Sequence, residues 1–275
     1  MSVWFITGAA RGFGRGLVDA ALAAGDQVIA TARNPQRLTD DHAGAGGAFL
    51  AAELDVTDEA QAYRAVSAGM ERFGRIDVVV NNAGYGLFGS VEETPDAFVR
   101  ELFDTNVFGL LNVTRAVLPT LRAQRSGHII TMSSSAGFAV SAGRGLYGAS
   151  KFAVEAISEA LHAELQPLGI AVTAVEPGSF RTEFLSGDSR RETPVEIADY
   201  EPSVGSLLQA IAGSNGKQPG NPARAVKAIR ALTTMSAPPL RLQLGTDAVK
   251  LVENKLDLVR TELESNRMTS LSTDF

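Results

Sequence analysis

Thr7-Gly8-Ala9-Ala10-Arg11-Gly12-Phe13-Gly14 follows a short apolar run at the start of the chain and opens a helical segment. Glycines placed this way let the backbone turn sharply and let an anion approach the free amides at a helix start, where the helix dipole favours negative charge. A diphosphate can dock on such a turn. The spacing is G-x-x-x-G-x-G, which differs from the G-x-G-x-x-G of the commoner dinucleotide fingerprint. Glycine is also abundant here, at 27 residues, so the loop alone is compatible with a purely structural turn.

The segments around this turn set its context. Apolar, largely β-branched runs at residues 3–7, 27–31, 48–54, 76–80, 128–132 and 171–175 alternate with helical patterns and are punctuated by Gly, Asn or Pro. Runs that are apolar on both faces belong to strands covered on both sides, so the predicted architecture is α/β, a doubly wound parallel sheet between helices. Residues 180–222 break the rhythm with Gly187, Pro194, Pro202, Gly205, Gly213, Gly216, Pro219 and Gly220, and read as a substrate-side insertion after the sixth strand. Beyond it a helix is predicted over 223–232, a last strand over 240–244 and a C-terminal helix over 246–264. In that helix Val249, Val252, Leu256, Val259 and Leu263 recur at alternating spacings of three and four. The stripe is expected to pack on its own domain rather than against another subunit. Residues 1–275 are expected to form one domain.

Composition removes several function classes. Of 275 residues, 45% are hydrophobic and 20% charged, enough apolar material for a core and too little charge for disorder. Twenty-five Lys and Arg against 31 Asp and Glu leave a net charge of −6 with no basic block, so nucleic acid is not an expected partner. Cysteine is absent, which removes thiolate nucleophiles, disulfides and Cys-ligated metals and fits a cytoplasmic setting. His42, His128 and His162 are scattered outside any metal-ligand spacing, so no metal is expected. No stretch of about 18 apolar residues occurs, and Met1–Gly8 lacks a basic leader region, so neither a membrane span nor a signal peptide is expected. A serine hydrolase would need G-x-S-x-G, which does not occur.

Further motifs follow the glycine turn in order: Asn81-Asn82-Ala83-Gly84, Asn106, Ser133-Ser134-Ser135, Tyr147-Gly148-Ala149-Ser150-Lys151 and Pro177-Gly178. Together they resemble the short-chain dehydrogenase/reductase family, densely over the first 180 residues and loosely beyond. The T-A-R-N turn, the long segment after Pro177-Gly178 and the G-N-P-A-R-A-V-K-A-I helix are most similar to its hydroxysteroid- and retinol-dehydrogenase-like branch. The resemblance implies a Rossmann-type sheet and a homodimer or homotetramer.

Tyr147 and Lys151 stand four apart, so on a helix they share a face, and the ammonium can favour the phenolate of Tyr147, making it a usable acid–base group. Ser134, thirteen residues before Tyr147, falls where the family places the serine that hydrogen-bonds the substrate oxygen; Ser133 and Ser135 flank it, and strand-end serines also serve backbone groups. By the same resemblance Asn106 holds a water linking Lys151 to solvent.

The resemblance assigns cofactor contacts to Gly8, Arg11, Gly12, Phe13 and Gly14, to Asn82, Ala83 and Gly84, to Tyr147 and Lys151, and to Pro177, Gly178 and Thr182, with Thr182 on the nicotinamide carboxamide. Asp55 and Val56 resemble the adenine contacts, although Asp55 could equally satisfy backbone at a strand end. At the end of the second strand Ala32 stands where NAD enzymes of the family carry Asp. Arg33 follows it and Arg11 sits in the loop, so two guanidiniums could meet a 2′-phosphate and the expected cofactor is NADP(H). Tyr85, Leu87, Phe88, Phe138, Val140, Leu146, Phe180, Phe184 and Leu185 would line an apolar pocket if their loops converge, which suits a lipophilic carbonyl or alcohol. The expected activity is NADPH-dependent reduction of such a ketone or aldehyde. The rivals are a β-ketoacyl-carrier-protein reductase, disfavoured by the acidic balance and the long tail, and a non-catalytic NADP(H) sensor or scaffold, disfavoured by the intact Ser134, Tyr147 and Lys151.

Overall fold

The structure is a computed structural model that describes every residue except Ser186 and the side chain of Asp188. In chain order the elements are β1 (Val3–Ile6), α1 (Gly12–Ala23), β2 (Gln27–Ala32), α2 (Gln36–Asp41), β3 (Phe49–Glu53), α3 (Glu59–Phe73), β4 (Val78–Asn81), β5 (Gly86–Phe88) and α4 (Asp96–Phe103). They continue as α5 (Gly109–Gln124), β6 (Gly127–Met132), α6 (Gly145–Leu165), β7 (Ile170–Pro177), β8 (Arg190–Glu192), α7 (Ser206–Ser214), α8 (Pro222–Leu232), β9 (Arg241–Leu244) and α9 (Thr246–Leu271).

Among the described residues the main sheet runs β3-β2-β1-β4-β6-β7-β9, every neighbouring pair parallel. Alternate residues of one strand feed opposite faces. Phe5, Ile29, Val79, Ile129 and Val172 pack with residues of α3, α5 and α6, whereas Trp4, Ile6, Val28, Val80 and Ile130 pack with α1 and α8. That two-sided burial is why the strands read as unbroken apolar runs. Strand order reverses between β1 and β4, and in sheets of this kind ligands sit outside the carboxyl ends at that switch point. The glycine turn and the Asn81–Gly84 segment leave the sheet there.

Several predicted bounds shift. Ile76 lies before β4 instead of in it, because the Gln124 side chain accepts from its N–H (3.1 Å) and donates to its carbonyl (2.7 Å), satisfying the backbone off the sheet. The ends of the 180–222 insertion meet: Phe180 bridges Gly220, and Gly220 N–H donates to the Ser179 carbonyl at 3.0 Å. Its β8 pairs with β5 as a separate two-stranded sheet, which docks the insertion beside α6.

The C-terminal helix corrects an expectation. It runs to Leu271, beyond the predicted 264, and only Ala248 is buried. Val249, Leu256, Val259 and Leu263 are 43%, 49%, 46% and 54% exposed, so the stripe does not pack on its own domain. Its first turns carry the buried Ala248 and the partly buried Leu251 and Val252, and from Leu256 onward every residue is exposed.

Candidate active site

The turn after β1 needs its glycines. Gly8 and Gly12 have φ of +62° and +54°, in the left-handed region, and any side chain at position 14 would drive its Cβ into the Gly8 carbonyl. What remains is a bare backbone cradle ending at the amino terminus of α1, which fits a diphosphate. Asn82 clamps it, donating from Nδ2 to the carbonyls of Thr7 (2.9 Å) and Gly8 (3.0 Å), while the Thr7 hydroxyl oxygen accepts from the N–H groups of Asn82 (2.9 Å) and Ala83 (3.0 Å). Across the cradle, a Cβ at Gly12 would lie 3.7 Å from Thr182, and Phe13 meets Phe180 edge-on at 5.4 Å. Residues 177–182 thus return over the loop, held by Gly178 N–H to the Leu244 carbonyl (2.9 Å) and Ser179 N–H to Asp247 Oδ2 (2.7 Å).

Around the adenosine end the picture is mixed. Arg33 is exposed just after β2, and no hydrogen bond or ion pair to another described residue ties it down. Arg11 is half-buried and precedes α1 in extended conformation. Asp55 spends Oδ1 on the Thr57 N–H (3.0 Å) and hydroxyl (2.7 Å), a local turn that by itself accounts for an Asp at this strand end. Val56 is buried, and its carbonyl accepts from Asn112 (3.0 Å).

On the facing side, Tyr147 and Lys151 are both buried on α6. Burial pushes the Tyr147 pKa up to about 12, and the Ser134 hydroxyl and the Arg144 guanidinium only partly oppose that rise. The shift is thus upward, where the sequence led to an expected depression by Lys151, because loss of water disfavours the phenolate. Burial also brings the Lys151 pKa down to about 8 against the opposing pull of the Glu155 carboxylate. Lys151 Nζ donates to the Met132 carbonyl at 2.7 Å and lies 5.9 Å from the centroid of the Tyr147 ring. Of the three serines, Ser134 opens a 3₁₀ turn and accepts from Ala136 N–H at 3.1 Å, whereas Ser133 turns to Glu155.

Asn106 lies in a π-turn, Asp104–Phe108, joining α4 to α5. Its Nδ2 donates to the Tyr85 carbonyl (3.0 Å) and the Ser150 hydroxyl (3.1 Å), and its Oδ1 accepts from Tyr85 N–H (3.0 Å). A Cβ at Gly84 would come within 2.8 Å of Asn106 Oδ1 and 3.7 Å of Lys151 Nζ, so glycine is what lets these two approach the β4 end together. With both Nδ2 hydrogens spent and one lone pair of Oδ1 still open, Asn106 ties three segments of the site together.

The apolar side chains divide. Leu87, Tyr85, Leu146 and Phe184 cluster around Tyr147, with Phe88 and Phe184 rings 6.1 and 5.8 Å from its own. Phe180 instead belongs to the Phe13 side, and Val140 is exposed against Gly148. Four side chains near the site, Arg144, Asp247, Glu155 and Glu176, were not singled out from the sequence. Arg144 lies three residues before Tyr147 at the start of α6, a spacing that could have found it, whereas Asp247 reaches the site only through tertiary structure; Glu155 and Glu176 form a buried carboxylate pair behind Lys151, bridged by Arg241 at 3.2 and 3.7 Å. An i, i+4 spacing from Lys151 is the one signal that could have found Glu155.

A parallel sheet whose switch point carries a diphosphate-sized backbone cradle, opposed by a buried tyrosine and lysine on one helix, defines a nucleotide-dependent oxidoreductase. Residues 2–193 match the short chain dehydrogenase family, and the chain belongs to it. It is 38% identical over 274 residues, 98% of both chains, to the oxidoreductase BOA17 of Botryotinia fuckeliana. A solved short-chain dehydrogenase from Streptomyces avermitilis superposes with a TM-score of 0.92 at 41% identity, covering 100% of each chain. An archaeal alcohol dehydrogenase from Thermococcus sibiricus, solved with 5-hydroxy-NADP, matches with a TM-score of 0.72 at 25% identity over 89% of this chain and 96% of its own.

Proposed function

We propose that the protein is an NADP(H)-dependent carbonyl reductase, reversible as an alcohol dehydrogenase, for a lipophilic ketone or aldehyde. The observation that carries this reading is the setting of Tyr147, buried among Leu87, Phe88, Leu146 and Phe184 with Ser134 and Lys151 beside it. An acid–base group in apolar surroundings suits a carbonyl attached to a hydrocarbon body.

In this reading the backbone of Gly8, Arg11, Gly12, Phe13 and Gly14 holds the diphosphate. Arg33 and Arg11 meet the 2′-phosphate, and Asp55 and Val56 lie along the adenine. Asn82, Ala83 and Gly84 support the ribose region, while Pro177, Gly178 and Thr182 position the nicotinamide. A bound reduced nicotinamide supplies the hydride. Tyr147 gives its phenolic proton to the substrate oxygen, and Ser134 orients that oxygen by a hydrogen bond. Lys151 contributes positive charge near the phenolate and binds ribose. Asn106 holds the water that returns a proton to Lys151. Residues 180–222 form the substrate-side cover. A cytoplasmic homodimer or homotetramer completes the proposal, and the uncovered stripe of α9 favours an assembly over a lone protomer.

Oxidation of NADPH by the purified protein over a panel of lipophilic ketones, aldehydes and diketones, with NADH in parallel, tests it. Turnover preferring NADPH is expected. Tight NADPH binding with no turnover on any of them would instead favour the sensor reading.

A further inference from the structure

Arg144 stands directly before α6 and one turn ahead of Tyr147, so the two side chains leave the same face of the helix start. Its main chain is fixed: its N–H donates to the Ser141 carbonyl (3.2 Å), and its carbonyl accepts from Gly148 N–H (2.7 Å). A Cβ at neighbouring Gly143 (φ +75°) would press on Leu207 and Val204 of the insertion, so that loop is braced from outside as well. The side chain is half-buried, and its Nε is fully shielded from water with no hydrogen-bond partner. Among the described residues no carboxylate hydrogen-bonds this guanidinium. The charges that feel it are Tyr147 and Asp247, and Asp247 already accepts from Ser179 N–H at 2.7 Å. Buried guanidiniums are ordinarily forked onto carboxylates, so one left open beside a phenol calls for an explanation.

The other groups around Tyr147 do not supply a permanent positive charge. Phe88 and Phe184 are apolar and Ser134 is neutral. Tyr85, raised in pKa by burial, is neutral too, and the Arg191 that lies over its ring is paired with Glu101. Lys151 is cationic but loses its proton near pH 8, whereas a guanidinium keeps its charge at every accessible pH.

We propose that Arg144 is a positioning residue for Tyr147: its guanidinium, one helical turn away and without a carboxylate partner of its own, holds the negative charge that the phenol oxygen carries while its proton is away. The inference rests on the reading of Tyr147 as the acid–base group.

The test is the pH profile of kcat for alcohol oxidation at saturating NADP⁺ in wild type, Arg144→Met and Arg144→Lys, with a tyrosinate absorbance titration as a readout independent of turnover. Arg144→Met is expected to move the apparent tyrosine pKa up by about one unit and lower kcat at neutral pH about tenfold, with NADP⁺ affinity unchanged. Arg144→Lys is expected to recover most of that loss near neutrality. Superimposable profiles for wild type and a folded Arg144→Met would overturn the inference. So would an effect confined to KM for anionic substrates, which would make Arg144 a substrate anchor. Should Arg144→Met not fold, Arg144→Gln, which keeps a polar side chain but no charge, decides in its place: a profile superimposable on wild type overturns the proposal. Tyr147→Phe in parallel separates the two readings. If that variant turns over normally the function reading fails; if it is inactive and the Arg144→Met profile is unshifted, only the Arg144 inference fails.

Discussion

Lys151 rests its ammonium on the Met132 carbonyl, 2.7 Å away, and stands 5.9 Å from the Tyr147 ring centroid, above the ring and not on its hydroxyl. In the proposed mechanism the lysine therefore acts on the tyrosine through space. In the proposed reaction the proton has one carrier, the phenol oxygen. Tyr147→Phe is expected to lower kcat by about 10²–10⁴-fold while leaving NADPH affinity within about twofold, read by single-turnover kinetics and NADPH fluorescence titration. Wild-type turnover in this variant would end the acid–base assignment.

Arg33 lies exposed after β2, the position from which a side chain reaches a ribose 2′ substituent. Arg33→Asp exchanges a charge-assisted contact with phosphate for repulsion and offers the 2′-hydroxyl an acceptor. The ratio of kcat/KM for NADPH over NADH is expected to fall about tenfold or more. An unchanged ratio would mean that the 2′-phosphate is read elsewhere.

Two buried groups pull the pH dependence of stability in opposite directions. His128, beside the Thr173 hydroxyl at 2.9 Å, has its pKa lowered to about 4 by burial, so the folded state resists a proton that the unfolded chain accepts below 6.5. Its contribution is present above 6.5 and is lost as pH falls towards 4. Glu176 is raised to about 7 by burial and by Glu155, so its contribution is present below the ordinary 4.5 and is lost as pH rises through 7. Over the shared window the two offset. Relative to wild type, His128→Gln is expected to gain stability between pH 7 and pH 4.5, and Glu176→Gln to lose it, each on the order of 2 kcal/mol. Denaturant melts at the two pH values decide, and parallel curves for all three proteins would refute both assignments.

On α9, isolated helices are marginal in water without a packed face, and Leu256 and Leu263 are about half exposed. If a second copy covers the stripe, light scattering of the wild type gives a dimer or tetramer, and Leu256→Lys with Leu263→Lys lowers the measured mass. A wild-type mass equal to one chain, or a double variant that assembles unchanged, would show that the stripe is not the contact.

Much of this protein is legible locally. Apolar runs without alternation predict strands buried on both faces, and six of the strands of the main sheet fall within a few residues of those runs. Gly8 and Gly12 suit positive φ, and Gly14 a close approach of backbone, because glycine alone meets both without a Cβ penalty. The four-residue step from Tyr147 to Lys151 puts both on one face of α6 by helix geometry alone. The stripe of α9 was equally legible as a pattern, but its surroundings were not, since the same spacing serves a helix packed on its own domain and one left open.

Periodicity along the chain therefore determined which faces exist: the two-sided strands, the glycine cradle and the shared face of Tyr147 and Lys151. Which faces meet was decided only by the tertiary structure. The reversal of strand order at β1 and β4, the Asn82 clamp on Thr7 and Gly8, the return of Thr182 over Gly12 and the placing of Asp247 beside Arg144 all depend on these contacts between faces. The physical reason is range. Backbone sterics and side-chain spacing act over a few residues, while burial, which raises the Tyr147 pKa and lowers that of Lys151, depends on every segment packed around them.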